Sequence, residues 1–174
     1  NHYRDWLTLQ PAATRNWMES QGFAGKSGQF ALLPDETGRW QRVLAITGGD
    51  EPFAVAHLPK LLPKGDYHRC TSSSAALQAD HLLLGWGLGA YRFERYLAGT
   101  ENARLHSEGH GGQALALLDA SLRVRDWINL PTEDMGPEHL QSAVFEAAQA
   151  FNGKAEAIIG DDLLTQNFPT IHAV

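Results

Sequence analysis

Apolar positions recur along this chain with two periods, one near 3.6 residues and one near 2, and the changes between them lay out an order of helices and strands. Residues 11–21 read as a short helix whose apolar positions Ala13, Trp17 and Met18 lie three to five residues apart, with Pro11 suited to its first turn and Gly22 to the place just past its end. Residues 29–33 and 40–47 are strand-like, rich in Phe, Leu, Val and Ile. Between them Pro34-Asp35-Glu36-Thr37-Gly38 has turn chemistry, which predicts a hairpin. Gly48-Gly49-Asp50 breaks the chain, residues 52–62 follow as a helix with Phe53, Ala56 and Leu61, and Pro63 stops it. Residues 67–70 form a short strand.

Thr71-Ser72-Ser73-Ser74 offers several N-caps for a long helix reaching about residue 98, with Leu77, Leu84, Leu88 and Tyr91 at helical spacing and Phe93 and Leu97 beyond. A strand over 102–106 and a helix over 114–129 come next. Leu115, Leu118, Leu122 and Ile128 make the stripe of that helix, Arg123, Arg125 and Asp126 face away, and Pro131 ends it. After the connector at 132–137, Pro137 opens a third helix that reaches Phe151 and is closed by Gly153. An apolar strand at 155–159 and a helical segment from Asp161-Asp162 complete the order. Strands alternating with helices predict an α/β protein: a mixed sheet flanked by helices, then a long linking helix and a partial second α/β unit. The expected boundaries are 1–112 for the first domain, 113–136 for the linking helix and connector, and 137–174 for the second unit. Left uncovered, Leu140, Val144, Phe145, Ile158 and Ile159 would form a large apolar patch, so the tail is expected to pack on the first domain or on another copy of the chain.

Charge and cysteine usage narrow the function classes. The net charge is −6, and the basic pairs Arg39/Arg42, Arg92/Arg95 and Arg123/Arg125 are scattered, which argues against nucleic-acid binding. The single cysteine, Cys70, can form neither an internal disulfide nor a thiolate metal site, so a reducing, cytoplasmic setting is the default. No stretch approaches the ~20 apolar residues of a membrane span. Residues 1–10 mix Arg4 and Asp5 with polar neighbours and hold no apolar signal core.

Three local patterns invite a chemical reading. Gly85-Trp86-Gly87-Leu88-Gly89-Ala90 has the letters of a dinucleotide fingerprint, follows Leu82-Leu83-Leu84 and precedes Glu108 by about 20 residues; a free-standing nucleotide-binding module using Gly85, Gly87 and Ala90 is the alternative function. The fingerprint needs a strand, a tight turn and a helix start, whereas these glycines fall inside a helical pattern, where close packing explains them. His106 and His110, with Glu108 between, have the spacing of two ligands on one helical face. The glycines at 109, 111 and 112 make the segment a solvent loop instead. Glu133-Asp134 and Asp161-Asp162 could do acid–base or metal work, but each pair stands at a helix start, where carboxylates cap N–H groups. His2, His57, His68, His81, His139 and His172 are isolated. The residues by themselves establish no active site.

The second half of the chain carries a resemblance. Arg125-Asp126-Trp127-Ile128-Asn129-Leu130-Pro131 followed by Thr132-Glu133-Asp134-Met135-Gly136-Pro137 resembles the linking segment of leucyl aminopeptidases, where an Arg-Asp-Leu-x-Asn-x-Pro helix end precedes Asn-Asp/Glu-Met-x-Pro and a new helix. Leu88-Gly89-Ala90-Tyr91-Arg92-Phe93-Glu94-Arg95-Tyr96 is similar to that family's Leu-x-x-Tyr-x-Phe-x-x-Tyr helix. Residues 159–174 look like the opening of the catalytic domain in its bacterial branch. The likeness covers roughly residues 77–174; residues 1–75 carry no motif of the family. It implies the N-terminal region of a two-domain cytosolic hydrolase that removes N-terminal residues, often leucine, from peptides. Such an enzyme works with two divalent ions (zinc, manganese or magnesium) that polarise the carbonyl and supply hydroxide. The implied partners are the chain's own catalytic domain and further copies in a hexamer. The family's metal-binding lysine and aspartates and its Asn-Thr-Asp-Ala-Glu-Gly-Arg segment match nothing here. No catalytic or metal residue is therefore carried over, and substrate-binding residues stay unassigned. Some bacterial members add nucleic-acid binding, against which the acidic charge speaks.

Overall fold

The structure is a computed structural model that describes residues 2–70, 77–106 and 112–174. The chain divides into two compact units, Asn1–Val124 and Arg125–Val174.

The first unit is built in layers around a hairpin. Strands β1 (Phe30–Pro34) and β2 (Trp40–Ala45) pair antiparallel, with Phe30 opposite Ala45 and Leu33 opposite Arg42. The turn between them is held by Asp35, whose carboxylate accepts the Thr37 and Arg39 N–H groups and the Thr37 hydroxyl, while Gly38 takes the left-handed φ of 84°. Side chains alternate across a strand, so the unbroken apolar run of β1 makes both of its faces hydrophobic. Phe30, Leu32, Val43 and Ala45 pack on a core of Val55, Leu58, Leu62, Leu77, Trp86 and Ala103. On the other face Ala31 and Leu33 join Tyr3 and Met18, with Leu44 and Ile46 beside them.

That second core is covered by helices α1 (His2–Thr8) and α2 (Ala12–Ser20). The opening residues, in which no element is expected, are helical because Tyr3, Trp6 and Leu7 share a side that meets Phe23 and the hairpin. Helix α2 ends as expected: Gly22 has φ 61° and the Phe23 N–H returns to the Met18 carbonyl, the Schellman arrangement. The helix expected over 52–62 is two shorter pieces, a 3-10 turn Pro52–Val55 and α3 (Leu58–Leu61), split at Ala56-His57.

A second, parallel pair joins β3 (Asp66–His68) to β4 (Arg104–His106) across helix α4 (Ala79–Ala90). Among the described residues the mixed pairing thus appears as two two-stranded sheets, one antiparallel and one parallel. The long helix expected from 71 to 98 is shorter at its C-terminal end: residues 91–98 are not helical, and Tyr91 leaves the helix with ψ 135°. Its expected caps, Thr71 to Ser74, lie outside the described residues. Helix α5 (Gly112–Asn129) keeps the long-helix expectation, but its inward side is Ala114, Leu118 and Leu122, while Leu115 and Ile128 face out.

The second unit contains α6 (Pro137–Ala150), α7 (Asp162–Thr165) and α8 (Pro169–His172). Asn152, not Gly153, takes the left-handed position after α6 (φ 53°), and Asn167 does the same after α7 (φ 66°). Residues 155–159 do not form the expected strand, since the second unit offers no other strand to complete a ladder. No residue from Arg125 to Val174 is buried. Leu140, Phe145 and Ile159 are 47%, 41% and 63% exposed. Among the described residues no helix is long and apolar enough to cross a membrane.

Candidate functional site

The glycine segment lies in mid-helix. Gly85 is the seventh residue of α4, and each of the three glycines faces a neighbour at close range. A Cβ on Gly85 would land on the carbonyl oxygen of Pro52 and within 3.1 Å of Val55 Cγ2; one on Gly89 would land on the Ala56 carbonyl. Gly87 faces the Leu118 side chain of α5 instead. Two glycines one helical turn apart therefore let α4 lie directly against the backbone of Pro52–Val55 and Ala56. Trp86, between them, is part of the core: it is 6% exposed, its indole Nε1–H donates to the Ala103 carbonyl at 3.1 Å, and its ring lies 5.8 Å from that of Tyr67.

A phosphate cradle also needs a helix N-terminus with open N–H groups. The N-terminus of α4 is six residues before Gly85, and a carboxylate already occupies it. Asp50 accepts the backbone N–H and the side-chain amide of Gln78, both at 2.7 Å, and faces His81 Nδ1 at 2.8 Å. The Gln78 N–H, with help from His81, holds the Asp50 carboxyl below the usual carboxylate range. The other end is closed by Asn102, whose Nδ2 donates to the Ala90 carbonyl at 2.8 Å. Gly48-Gly49-Asp50, read as a chain break, supplies the helix's electrostatic partner.

The acidic pairs do not cap as expected. The Asp161 side chain makes no cap bond to α7 and faces His172 Nε2 at 3.3 Å. Before α6 the N-cap position belongs to Gly136, two residues after Asp134, and His139 Nδ1 accepts the Gly136 N–H at 3.2 Å. His106 closes β4 and faces Asp66, whereas Glu108 and His110 lie outside the described residues. His57 sits against Phe30, at the split between the 3-10 turn and α3. Among the described residues no three His, Cys, Asp or Glu side chains are placed to hold a metal ion. The contacts of Gly85, Gly87 and Gly89, of Asp50 and of Trp86 are those of a packed helix, with no reacting group among them.

Residues 1–106 match the family description M17 aminopeptidase, N-terminal domain. The cytosol aminopeptidase of Coxiella burnetii, solved at 1.8 Å, is similar with 32% identity and a TM-score of 0.82, covering 93% of this chain and 36% of that one. The bottromycin maturation enzyme BotP, in complex with Mn, aligns at 19% identity and TM-score 0.59 over 77% of this chain and 33% of its own. A further BotP structure gives 18%, 0.63, 90% and 38%. At those identities the BotP likeness is one of fold. The chain thus spans little more than a third of the solved proteins it matches. No curated protein sequence matches it.

Proposed function

This chain belongs to the M17 aminopeptidase family, and on that premise we propose that it is the non-catalytic N-terminal region of a metal-dependent leucyl aminopeptidase, serving to assemble the oligomer and to position the catalytic domain. One observation carries the reading: the family's N-terminal domain accounts for residues 1–106, and the alignment to the Coxiella enzyme takes in 36% of that chain. The described residues present no group of three ligands, so they do not fit the two divalent ions (zinc, manganese or magnesium) of such an enzyme. No catalytic step is assigned to them. The ions and the chemistry that releases N-terminal amino acids from peptides would belong to the remainder of a cytoplasmic protein.

The second unit supports this. Its apolar side chains Leu140, Val144, Phe145 and Ile159 are each exposed, on a stretch without a core of its own, and soluble proteins rarely leave so much apolar surface bare when it is contiguous. A catalytic domain and the neighbouring copies of a hexamer are the partners that would cover it.

Leucine-anilide hydrolysis with added manganese or zinc tests the proposal. The 174-residue chain should turn over no faster than buffer, and the product of the whole coding sequence should be active. Clear turnover by the 174 residues alone would place an active site within them and overturn it.

A further inference from the structure

Two asparagines of the second unit hold the same position in the backbone but have different neighbours. Asn152 follows α6 and Asn167 follows α7; both are exposed and both are left-handed, with φ 53° and 66°. Each carries the same pair of closing bonds. The Asn152 N–H donates to the Gln149 carbonyl at 3.3 Å and the Gly153 N–H to the Ala148 carbonyl at 2.7 Å. Asn167 and Phe168 repeat this on Leu164 and Leu163, at 3.2 and 2.7 Å. What differs is the residue that follows: glycine after Asn152, phenylalanine after Asn167. Asn152-Gly153 is the one Asn-Gly pair in the sequence.

We propose that Asn152 is a site of self-modification by deamidation, with water as co-reactant and the C-terminal end of α6 as its gate. The Gly153 amide gives its proton to solvent base, and its nitrogen attacks Cγ of the Asn152 side chain. A five-membered succinimide forms, the Cγ–Nδ2 bond breaks, and ammonia leaves with a proton returned from water. A second water then opens the ring at either carbonyl. One opening gives aspartate at 152; the other gives isoaspartate, whose main chain runs through the former side chain. The net exchange is one water taken up and one ammonia released. Glycine favours the attack because it has no side chain to crowd the nitrogen and reaches backbone conformations closed to other residues. Phe168 has neither property. The gate is the bond to Ala148, which engages the same N–H that has to be lost. Opening it costs little, since no residue of the unit is buried and the adjoining Phe151 is 61% exposed. Both products place a carboxylate where the last carbonyls of α6 already carry partial negative charge, so the modified helix end is weaker. Isoaspartate also adds one carbon to the main chain between residues 152 and 153, which pulls the two closing bonds out of register.

Incubation of the 174-residue chain at mildly alkaline pH, followed by peptide mapping in the mass spectrometer, is the test. The peptide that holds Asn152 should gain one mass unit and divide into aspartate and isoaspartate forms, while the peptide that holds Asn167 keeps its mass. Conversion in the chain should run about tenfold slower than in a free peptide of residues 150–156, the factor expected of one hydrogen bond that has to open first. Gly153→Ala should slow it about tenfold again, through the lost backbone freedom. The fold tolerates that variant, because a Cβ at 153 meets Ala148 at ordinary contact distances of 3.5 Å and beyond. Circular dichroism would confirm that the helices are kept. An unchanged Asn152 peptide, equal conversion at Asn152 and Asn167, or an undiminished rate in Gly153→Ala overturns the proposal. Equal rates in the chain and the free peptide remove the gate given to α6.

Discussion

The two units use similar letters to different ends. In Asn1–Val124 the apolar positions of six helical or strand segments converge: Tyr3, Met18, Ala31 and Leu33 on one side of the hairpin, Val55, Leu58, Leu62 and Trp86 on the other. In Arg125–Val174 the helix α6 has as clear an apolar stripe, yet none of its residues is buried. The amphipathic pattern says which side of an element wants cover. Whether the cover lies in the same stretch of chain depends on partners that the pattern does not name. Burial of apolar area is the main favourable term in folding, so the stability of this chain should reside almost wholly in the first unit.

Substitutions can break or sharpen that contrast. The largest effect should come from Trp86→Ala, at about 4 kcal/mol in urea unfolding, through the cavity and the unpaired Ala103 carbonyl. Trp86→Phe should recover most of the packing but not the hydrogen bond; equal losses in the two would show that the bond, not the burial, dominates.

Gly85→Ala and Gly89→Ala come next, at about 2 kcal/mol each, because the new methyl meets backbone carbonyls that cannot swing aside. Gly87→Ala should cost under about 1 kcal/mol, since the Leu118 side chain can give way and the helix gains from alanine. If Gly87→Ala proves the worst of the three, the close contact of α4 is with α5 and not with Pro52 and Ala56.

Asp50→Ala should have a smaller, pH-dependent effect. The folded-state pKa of Asp50 is lowered, first by the Gln78 N–H, so its contribution is complete above the ordinary carboxylate range. As pH falls below about 4 and through the depressed folded value, the contribution is lost. Unfolding midpoints of wild type and variant should differ at pH 7 and draw together as the solution is acidified; a constant gap would mean that the charge plays no part.

Smallest of all, Leu140→Gln and Val144→Gln in α6 should shift the unfolding free energy by less than about 0.5 kcal/mol. A loss of 2 kcal/mol or more in either would mean that the second unit is buried in solution.

The legible parts of the fold are those decided locally. The hairpin follows from Asp35 and Gly38, which build the turn within five residues, and the end of α2 follows from Gly22. Helix α4 shows where local reading stops. Its N-terminus is set by Asp50, 28 residues from Gln78 in sequence, and its C-terminal carbonyl is taken by Asn102, 12 residues beyond Ala90. The helical spacing continues through Tyr91 and Phe93, but Asn102 stops the helix at Ala90. The close packing expected of the glycines is observed, but the surfaces they meet, at Pro52, Ala56 and Leu118, lie far off in the chain, beyond the reach of a local pattern. Helix α1 is hidden because its three apolar residues are interleaved with Arg4 and Asp5. The motifs that suggested the family lie in residues 77–174, whereas the family match falls on residues 1–106. The N-terminal domain is thus held together by a packing pattern without a short signature.

The parallel pairing of β3 with β4 has a consequence for the time course of folding. Pro34 and Trp40 meet across a turn of a few residues, whereas Asp66 meets Arg104 only across a sequence separation of 38. Loop-closure entropy grows as the logarithm of the span, so the longer closure costs about 1.6 kcal/mol more than the hairpin. Contacts that require long closure slow a chain to its native state, and they are rewarded only once α4 is in place to cover them. The hairpin should therefore be structured at the folding barrier while the parallel pair forms after it. Leu105→Ala should accelerate unfolding and barely slow refolding, and Leu33→Ala should slow refolding. Stopped-flow measurements in which Leu105→Ala chiefly slowed refolding would reverse that order.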